Sequence, residues 1–306
     1  MRAPVSESGV KTEMMTAMTE EDIHGGPGPT LHIRRWPAIG AARGVVLIVP
    51  GFNSHGGYYG WVGGQLSAAG LTAYAVDLRG RGRSEGERFY VDAFEDYVSD
   101  VASLAAVVKT REKDLPVFLL GHSAGGVVAC LYALEHQSEL SGLICESFAF
   151  RLPAPGIALA VLKGLSHLTP HAHVLRLKNE DFSRDGAVVA TMNADPLIAD
   201  ETQPTMTVAA MVRADERLEE ALPGITLPLL ILHGTADRAT RPAGSQLLLD
   251  RAGSTDKALK LYDGVFHDPL NDVGRETVMA DVLAWLDARL RGRSTAFSSS
   301  ASGGTA

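Results

Sequence analysis

Short runs of consecutive apolar, often β-branched residues recur along the chain. They are "GVVLIVPG" (Gly44–Gly51), "LTAYAVD" (Leu71–Asp77), "VFLLG" (Val117–Gly121), "GLICES" (Gly142–Ser147), "PLLILHG" (Pro228–Gly234) and "ALKLYDG" (Ala258–Gly264). A run that is apolar at every position, rather than at alternate ones, suits a strand covered on both faces. Between the second and third runs lies "DYVSDVASLAAVVKTRE", where Tyr97, Val101, Leu104, Ala105 and Val108 recur at helical spacing and give one apolar face. "DVLAWLDARL" (Asp281–Leu290) repeats that pattern near the end. Strands alternating with helices predict an α/β fold, a mostly parallel sheet with helices on both faces. Sites in such sheets lie beyond the carboxyl ends of the strands. Polar residues that directly follow a strand are therefore the ones to weigh.

The alternation stops between Phe150 and about Leu222, where helical stretches dominate. This region reads as a helical insertion, a cap or lid over the carboxyl edge of the sheet. The predicted layout is a flexible N-terminus (1–20), a first part of the core (21–149), the cap (150–222), a second part of the core (223–293) and a disordered tail (294–306). The tail sequence "STAFSSSASGGTA" is too small and polar to bury much of itself. Within the cap, Ile157, Val161, Leu165 and Leu168 form one helical stripe. Such a stripe ordinarily packs against the core; left exposed, it offers a transient contact to micelles or membranes.

Composition narrows the function classes. The chain has 306 residues, 45% hydrophobic and 21% charged, as in an ordinary globular protein. A net charge of -8 lacks the basic footprint of a nucleic-acid binder. Two cysteines, Cys130 and Cys145, sit in apolar surroundings without metal-ligand spacing, so neither a disulfide framework nor a metal site is expected. The N-terminus lacks the apolar core of a signal peptide, and no apolar run is long enough to cross a bilayer. A soluble, cytoplasmic protein is expected; the oligomeric state is left open.

The candidate chemistry begins in "VFLLGHSAGGVVAC". A strand, then Gly121-His122-Ser123-Ala124-Gly125, then a helix from Ala124 to about His136 is the strand–turn–helix context of a nucleophile elbow. Small residues at 121 and 125 suit the close backbone approach of such a turn, and the helix start directs free N–H groups at a nearby oxyanion. A serine that merely caps a helix is the plain alternative. A nucleophilic hydroxyl needs a base, and the base an orienting acid, following in the order Ser, Asp, His in this topology. Asp237, in "LLILHGTADRATRP", and His267, in "LKLYDGVFHDPLND", have that order and both follow strands. Asp77 also follows a strand but precedes the serine. Asp268 suits a local turn or cap, His122 a packing role, and His233 a buried hydrogen-bonded position. The H-x-H pair His171 and His173 lacks a third metal ligand. The oxyanion donors are expected to be the backbone N–H groups of Ala124 and of Phe52, in "VPGFNSHGGYYG".

Four blocks, "PGFNSHGGYY", "AVDLRGRGRSEG", "LLGHSAGG" and the pair "LHGTADRATRP" with "YDGVFHD", together resemble the α/β-hydrolase superfamily, specifically its monoacylglycerol lipase and lysophospholipase branch. The similarity runs from about Leu31 to Leu290. Asp77 to Gly86 looks like the branch's D-x-x-G-x-G-x-S-x-G turn, and "NADPL" (Asn193–Leu197) like the end of its cap. The resemblance implies cleavage of a small ester substrate bearing an acyl chain, through an acyl-enzyme and without metal or organic cofactor. Ser123 matches the nucleophile, Asp237 the acid, His267 the base, and Phe52 and Ala124 the oxyanion positions. Three residues depart from the pattern: Pro50 replaces the histidine of His-Gly, Phe52 a small residue, and Arg81 the histidine of the "GHG" form. A phenyl ring at 52 is expected to narrow the acyl entrance. Glycerol monoesters are the first substrate class; other small or aromatic monoesters, lysophospholipids, amide cleavage and a non-catalytic binding role remain as alternatives.

Overall fold

The computed structural model describes residues 18–24, 28–150 and 156–301. The expected flexible stretch up to residue 17, the "RLPAP" opening of the insertion and the last five residues lie outside the described residues. Ten strands are described: β1 (Thr19–His24), β2 (Thr30–Trp36), β3 (Val45–Val49), β4 (Thr72–Val76), β5 (Val117–His122), β6 (Gly142–Glu146), β7 (His173–Leu175), β8 (Gln203–Pro204), β9 (Leu229–Gly234) and β10 (Lys257–Tyr262). Eight of them form one sheet in the order β1-β2-β4-β3-β5-β6-β9-β10. Every pairing from β4 to β10 is parallel.

The continuous apolar runs behave as two-faced strands should. In β3, Val45, Leu47 and Val49 face one core cluster while Val46 and Ile48 face the other. The first cluster is covered by α2 (Phe94–Arg111), α3 (Ala124–His136), α6 (Thr205–Ala221) and α7 (Pro242–Arg251); the second by α1 (Gly60–Ala68) and α8 (Arg275–Ala301). Helix α2 buries Tyr97, Val101, Leu104 and Val108, the face expected from its spacing. Cys130 and Cys145 are both buried and unbridged.

Four strands escaped the sequence reading: the short β7 and β8 of the insertion, and β1 and β2 at the edge of the main sheet. β1 and β2 pair antiparallel and bring β2 antiparallel onto β4. Their sequences, TEEDIH and TLHIRRW, are rich in charge because charged side chains pair across them: Arg34 Nε meets Glu20 Oε1 at 2.9 Å and His32 Nδ1 meets Asp22 Oδ1 at 2.8 Å. β1 also begins at Thr19, inside the stretch expected to be flexible.

The insertion between β6 and β9 holds α4 (Gly156–Leu165), α5 (Gly186–Ala194), α6 and the antiparallel pair β7–β8. The stripe read on α4 faces outward: Val161, Leu165 and Leu168 are 55%, 46% and 79% exposed. The helix instead turns Leu159, Leu162 and the fully buried Ser166 inward, against α6. It is apolar on both sides, so periodicity alone does not choose between faces.

Helix α8 runs on to Ala301, past residue 294 where the disordered tail was expected to start. Its stem is anchored by Val278, Val282, Leu286 and Leu290. Initiating a helix is costly and extending one is cheap, so a composition with little to bury does not by itself stop an anchored helix.

Parallel pairing places the loops after β3, β5, β9 and β10 at one edge of the sheet, and close packing there depends on glycine. A Cβ at Gly125 would lie 2.2 Å from the Val49 carbonyl oxygen and 2.5 Å from that of Pro50. Gly125→Ala should therefore destabilise the fold by about 3 kcal/mol or more, seen in the urea midpoint. Gly60→Ala, whose Cβ meets nothing within 4 Å, should stabilise by about 0.5 kcal/mol. Equal midpoints for the two variants would refute the packing argument.

Candidate active site

Ser123 is the first residue beyond β5, and its backbone sits at φ 56°, ψ -122°, a region that side-chain-bearing residues seldom occupy. Its N–H donates to the Glu146 carbonyl at 2.9 Å, and its own carbonyl accepts from Gly126 N–H at 2.9 Å. The sharp turn lifts the hydroxyl above the sheet edge. There the Ser123 Oγ lies 2.8 Å from His267 Nε2, and His267 Nδ1 lies 2.8 Å from Asp237 Oδ2. Residues from the loops after β5, β9 and β10 thus meet in one hydrogen-bonded row.

Asp237 is fully buried and fully satisfied. Its Oδ1 accepts the N–H groups of Ala239 and Thr240, and its Oδ2 the Thr240 hydroxyl at 2.7 Å. His233 adds a further contact to Oδ2 at 3.0 Å and is fixed from behind by Ser245 Oγ, 2.7 Å from its Nδ1. Burial opposes the charge of Asp237, but His267 and these hydrogen bonds outweigh it and hold the carboxyl far below the usual range. The expected buried, bonded His233 is therefore in direct contact with the acid. His267 is itself fully buried, with the Phe182 ring of the insertion edge-on at 4.8 Å.

The loop after β3 comes equally close. A Cβ at Gly51 would stand 2.8 Å from the Ser123 Cβ and 3.4 Å from the Ala124 nitrogen. Phe52 thus begins beside the N-terminus of α3. Its ring does not line an entrance: it is 4% exposed, lies under the Arg81 guanidinium at 4.3 Å and meets Phe94 edge-on at 6.4 Å. The two departures at 52 and 81 account for each other. Asp77, set aside on chain order, anchors the same loop. It accepts from Gly56 N–H at 2.7 Å and from Arg34 Nη1 at 2.8 Å.

His171 and His173 stay apart from this centre, bonded to Glu87 and to the Thr202 carbonyl. His122, Glu146 and Asp268 form a buried cluster directly behind the row, with polar atoms within 4.8 Å of one another. His122 reaches the His267 carbonyl at 3.1 Å, and Asp268 makes the expected local bond, to Asn271. Glu146, in an apolar strand, carried no signal in the sequence. Its Oε1 accepts Leu270 N–H at 2.8 Å, while its Oε2, Asp268 Oδ1 and His122 Nδ1 have no partner. Burial, reinforced by Asp268, holds the Glu146 carboxyl well above its usual range.

A raised carboxyl stabilises nothing above its unfolded value: there the unfolded chain releases a proton that the folded chain retains. Stability should then fall by about 1.4 kcal/mol per pH unit between the two values. Glu146→Gln removes that dependence. Its urea midpoint should exceed the parent's increasingly from pH 5 to pH 8, and a constant difference would show that Glu146 is ionised in the fold.

Residues 40–274 match the family described as Serine aminopeptidase, S33. A monoacylglycerol lipase of Mycolicibacterium smegmatis is 34% identical over 257 residues, covering 83% of this chain and 92% of that protein. The monoglyceride lipase of Homo sapiens is 32% identical over 274 residues, covering 88% and 90%. The crystal structure of Paleococcus ferrophilus monoacylglycerol lipase superimposes with a TM-score of 0.76 at 28% identity, over 85% of this chain and 99% of that one. The chain belongs to the S33 serine aminopeptidase family, as an α/β-hydrolase similar over most of its length to monoacylglycerol lipases.

Proposed function

We propose that the protein is a serine hydrolase of carboxylic esters, with glycerol monoesters as its substrates. The reading is carried by the unbroken row Ser123–His267–Asp237, two contacts of 2.8 Å between residues 144 and 30 positions apart in the chain. Asp237 holds His267 with its proton on Nδ1, leaving Nε2 free to accept from the serine. As Oγ attacks the ester carbonyl, His267 takes the hydroxyl proton. The N–H groups of Phe52 and Ala124 receive the charge that develops on oxygen, each worth about 3 kcal/mol of barrier. His267 then protonates the departing alcohol, and water, activated by the same imidazole, releases the fatty acid.

A cavity of about 100 Å³, walled in part by the Phe182 that packs on His267 and by Asp268 next to it in the chain, supports a small polar leaving group. Ser54, Tyr58, Asn271 and Asp268 give it hydrogen-bonding walls, and Phe182 and Met192 an apolar side. Its size suits a small alcohol rather than an acyl chain. Peptide-amine recognition finds less support. The insertion acids that turn toward the core are already engaged, Asp195 by His55 and Tyr58, and Glu201 by Arg81.

The insertion acts as a lid in this reading, and its outward stripe suits transient contact with an aggregated lipid. Exposed Val161, Leu165 and Leu168, with Val174 at 48%, are the apolar side chains such a surface would meet. Among the described residues no helix is long and apolar enough to cross a membrane.

Ser123→Ala should lose labelling by a fluorophosphonate probe and about 10⁴-fold or more of kcat, with an unchanged thermal midpoint. Asp237→Asn should cost about 10⁴-fold by favouring the wrong tautomer of His267. In an ester panel, monoacylglycerols should exceed acetyl and butyryl esters in kcat/KM; the reverse order would make the protein a short-chain carboxylesterase. Separately, Leu165→Ser/Leu168→Ser should lower the rate on micellar monoacylglycerol severalfold and spare a monomeric p-nitrophenyl ester. An equal loss on both would remove the lid-contact role.

A further inference from the structure

Arg81 is among the largest fully buried side chains of the protein, and its ligands come from two different parts of the fold. Its Nε donates to the Tyr97 hydroxyl at 3.0 Å within the core. Its Nη1 and Nη2 donate to Glu201 Oε1 at 2.5 Å and Gln203 Oε1 at 2.8 Å, both in the insertion, just before α6. Its flat face covers the Phe52 ring. A guanidinium placed in the interior needs such partners, because an unpaired buried charge is severely destabilising.

The carboxylate that neutralises Arg81 has a second task. Glu201 Oε1 also accepts the backbone N–H of Asn53, at 2.9 Å, and the Gln203 amide at 2.7 Å. Asn53 sits at φ 49°, a conformation that asparagine tolerates only when its surroundings hold it there. Its side-chain amide reaches the insertion as well, at Asn179 Oδ1, 3.0 Å away. Phe52 is thus fixed on both sides, its ring by Arg81 and the peptide that follows it by Glu201. With both fixed, the direction of its own N–H is fixed too.

We propose that Glu201 is a positioning residue for the oxyanion hole, holding the Phe52 N–H in place so that the hole is complete only while the base of the insertion is docked on Arg81. This rests on the preceding reading, in which the Phe52 amide receives the developing charge. Lifting the insertion away from Arg81 withdraws the acceptor from Asn53 and releases the loop after β3. Lid position and catalytic competence are then one equilibrium, and the hydroxyl of Ser123 is not paired with a complete oxyanion hole while the insertion is lifted.

The test compares Glu201→Leu, which has no acceptor, with Glu201→Gln, which keeps an oxygen near the same place. Three quantities are measured on each: kcat, the inhibition constant of an alkyl boronic acid that forms a tetrahedral adduct with serine, and the affinity of a non-hydrolysable alkyl glycerol ether. Glu201→Leu should lower kcat about 10- to 100-fold and weaken the boronate by the same factor, the cost of a misplaced oxyanion donor. The ether should bind within about threefold of the parent, and Glu201→Gln should recover most of the loss. A merely structural role would instead weaken ether and boronate alike. Should Glu201→Leu fail to fold, Arg81→Met/Glu201→Leu removes both buried charges together and should still lack the rate and the boronate affinity. Full activity in any folded variant without the acceptor overturns the proposal. If the parent protein itself fails to label with a fluorophosphonate, the serine hydrolase reading falls instead.

Discussion

The left-handed backbone of Ser123 is the constraint on which the rest of the site depends. A residue held in such a region costs on the order of 1–3 kcal/mol and persists only where the surroundings over-determine it. Here they do. Its N–H and carbonyl are bound to neighbouring elements, Gly125 brings α3 against the backbone of β3, and Gly51 brings the next loop against the Ser123 side chain. Relaxing the serine would require moving two strands that are buried on both faces. The hydroxyl is presented to His267 because the sheet cannot accommodate the alternative.

Around that fixed point the buried acids follow two different solutions. Asp237 keeps its charge, surrounded by two backbone N–H groups, a hydroxyl and two imidazoles. Glu201 faces a guanidinium. Glu146, a few ångströms behind the row, has one backbone donor and no cation, and burial holds its carboxyl well above the usual range. The difference follows from the supply of donors, since an ionised carboxyl in the interior must replace the hydration it has lost. A carboxyl that lacks replacements gives up its charge. The same edge of the sheet therefore holds one carboxyl pushed toward its charged form and another pushed toward its neutral form, each by its local partners.

How much of this was legible in the sequence depends on the range over which each feature is determined. The central strands announced themselves because burial on both faces leaves an apolar run. The meeting of Ser123, Asp237 and His267 did so because strand–turn–helix context and chain order are local or topological properties. β1 and β2 did not, since their charges are satisfied only by each other, as with Glu20 and Arg34. The face of α4 was misjudged because Leu159 and Leu162 compete with Val161 and Leu165, and only α6 decides between them. Glu146 and Glu201 carried no pattern at all. Their partners, Asp268 and Arg81, lie more than a hundred positions away in the chain, and nothing in either neighbourhood points across that distance.

The departures from the family pattern were visible from the start, but their meaning was not. Phe52 read alone suggests a ring obstructing an entrance, and Arg81 read alone an oddity in a glycine-rich turn. Together they form a stack whose charge must be neutralised from outside the core, because Tyr97 supplies an oxygen but no formal charge. That requirement falls on the insertion, and it is met by a carboxylate that also accepts the N–H of Asn53. Once a large cation replaces a smaller residue beneath the loop after β3, the insertion can no longer be electrostatically independent of that loop. The contact between the insertion and the loop after β3 is then a consequence of burying Arg81 where it is.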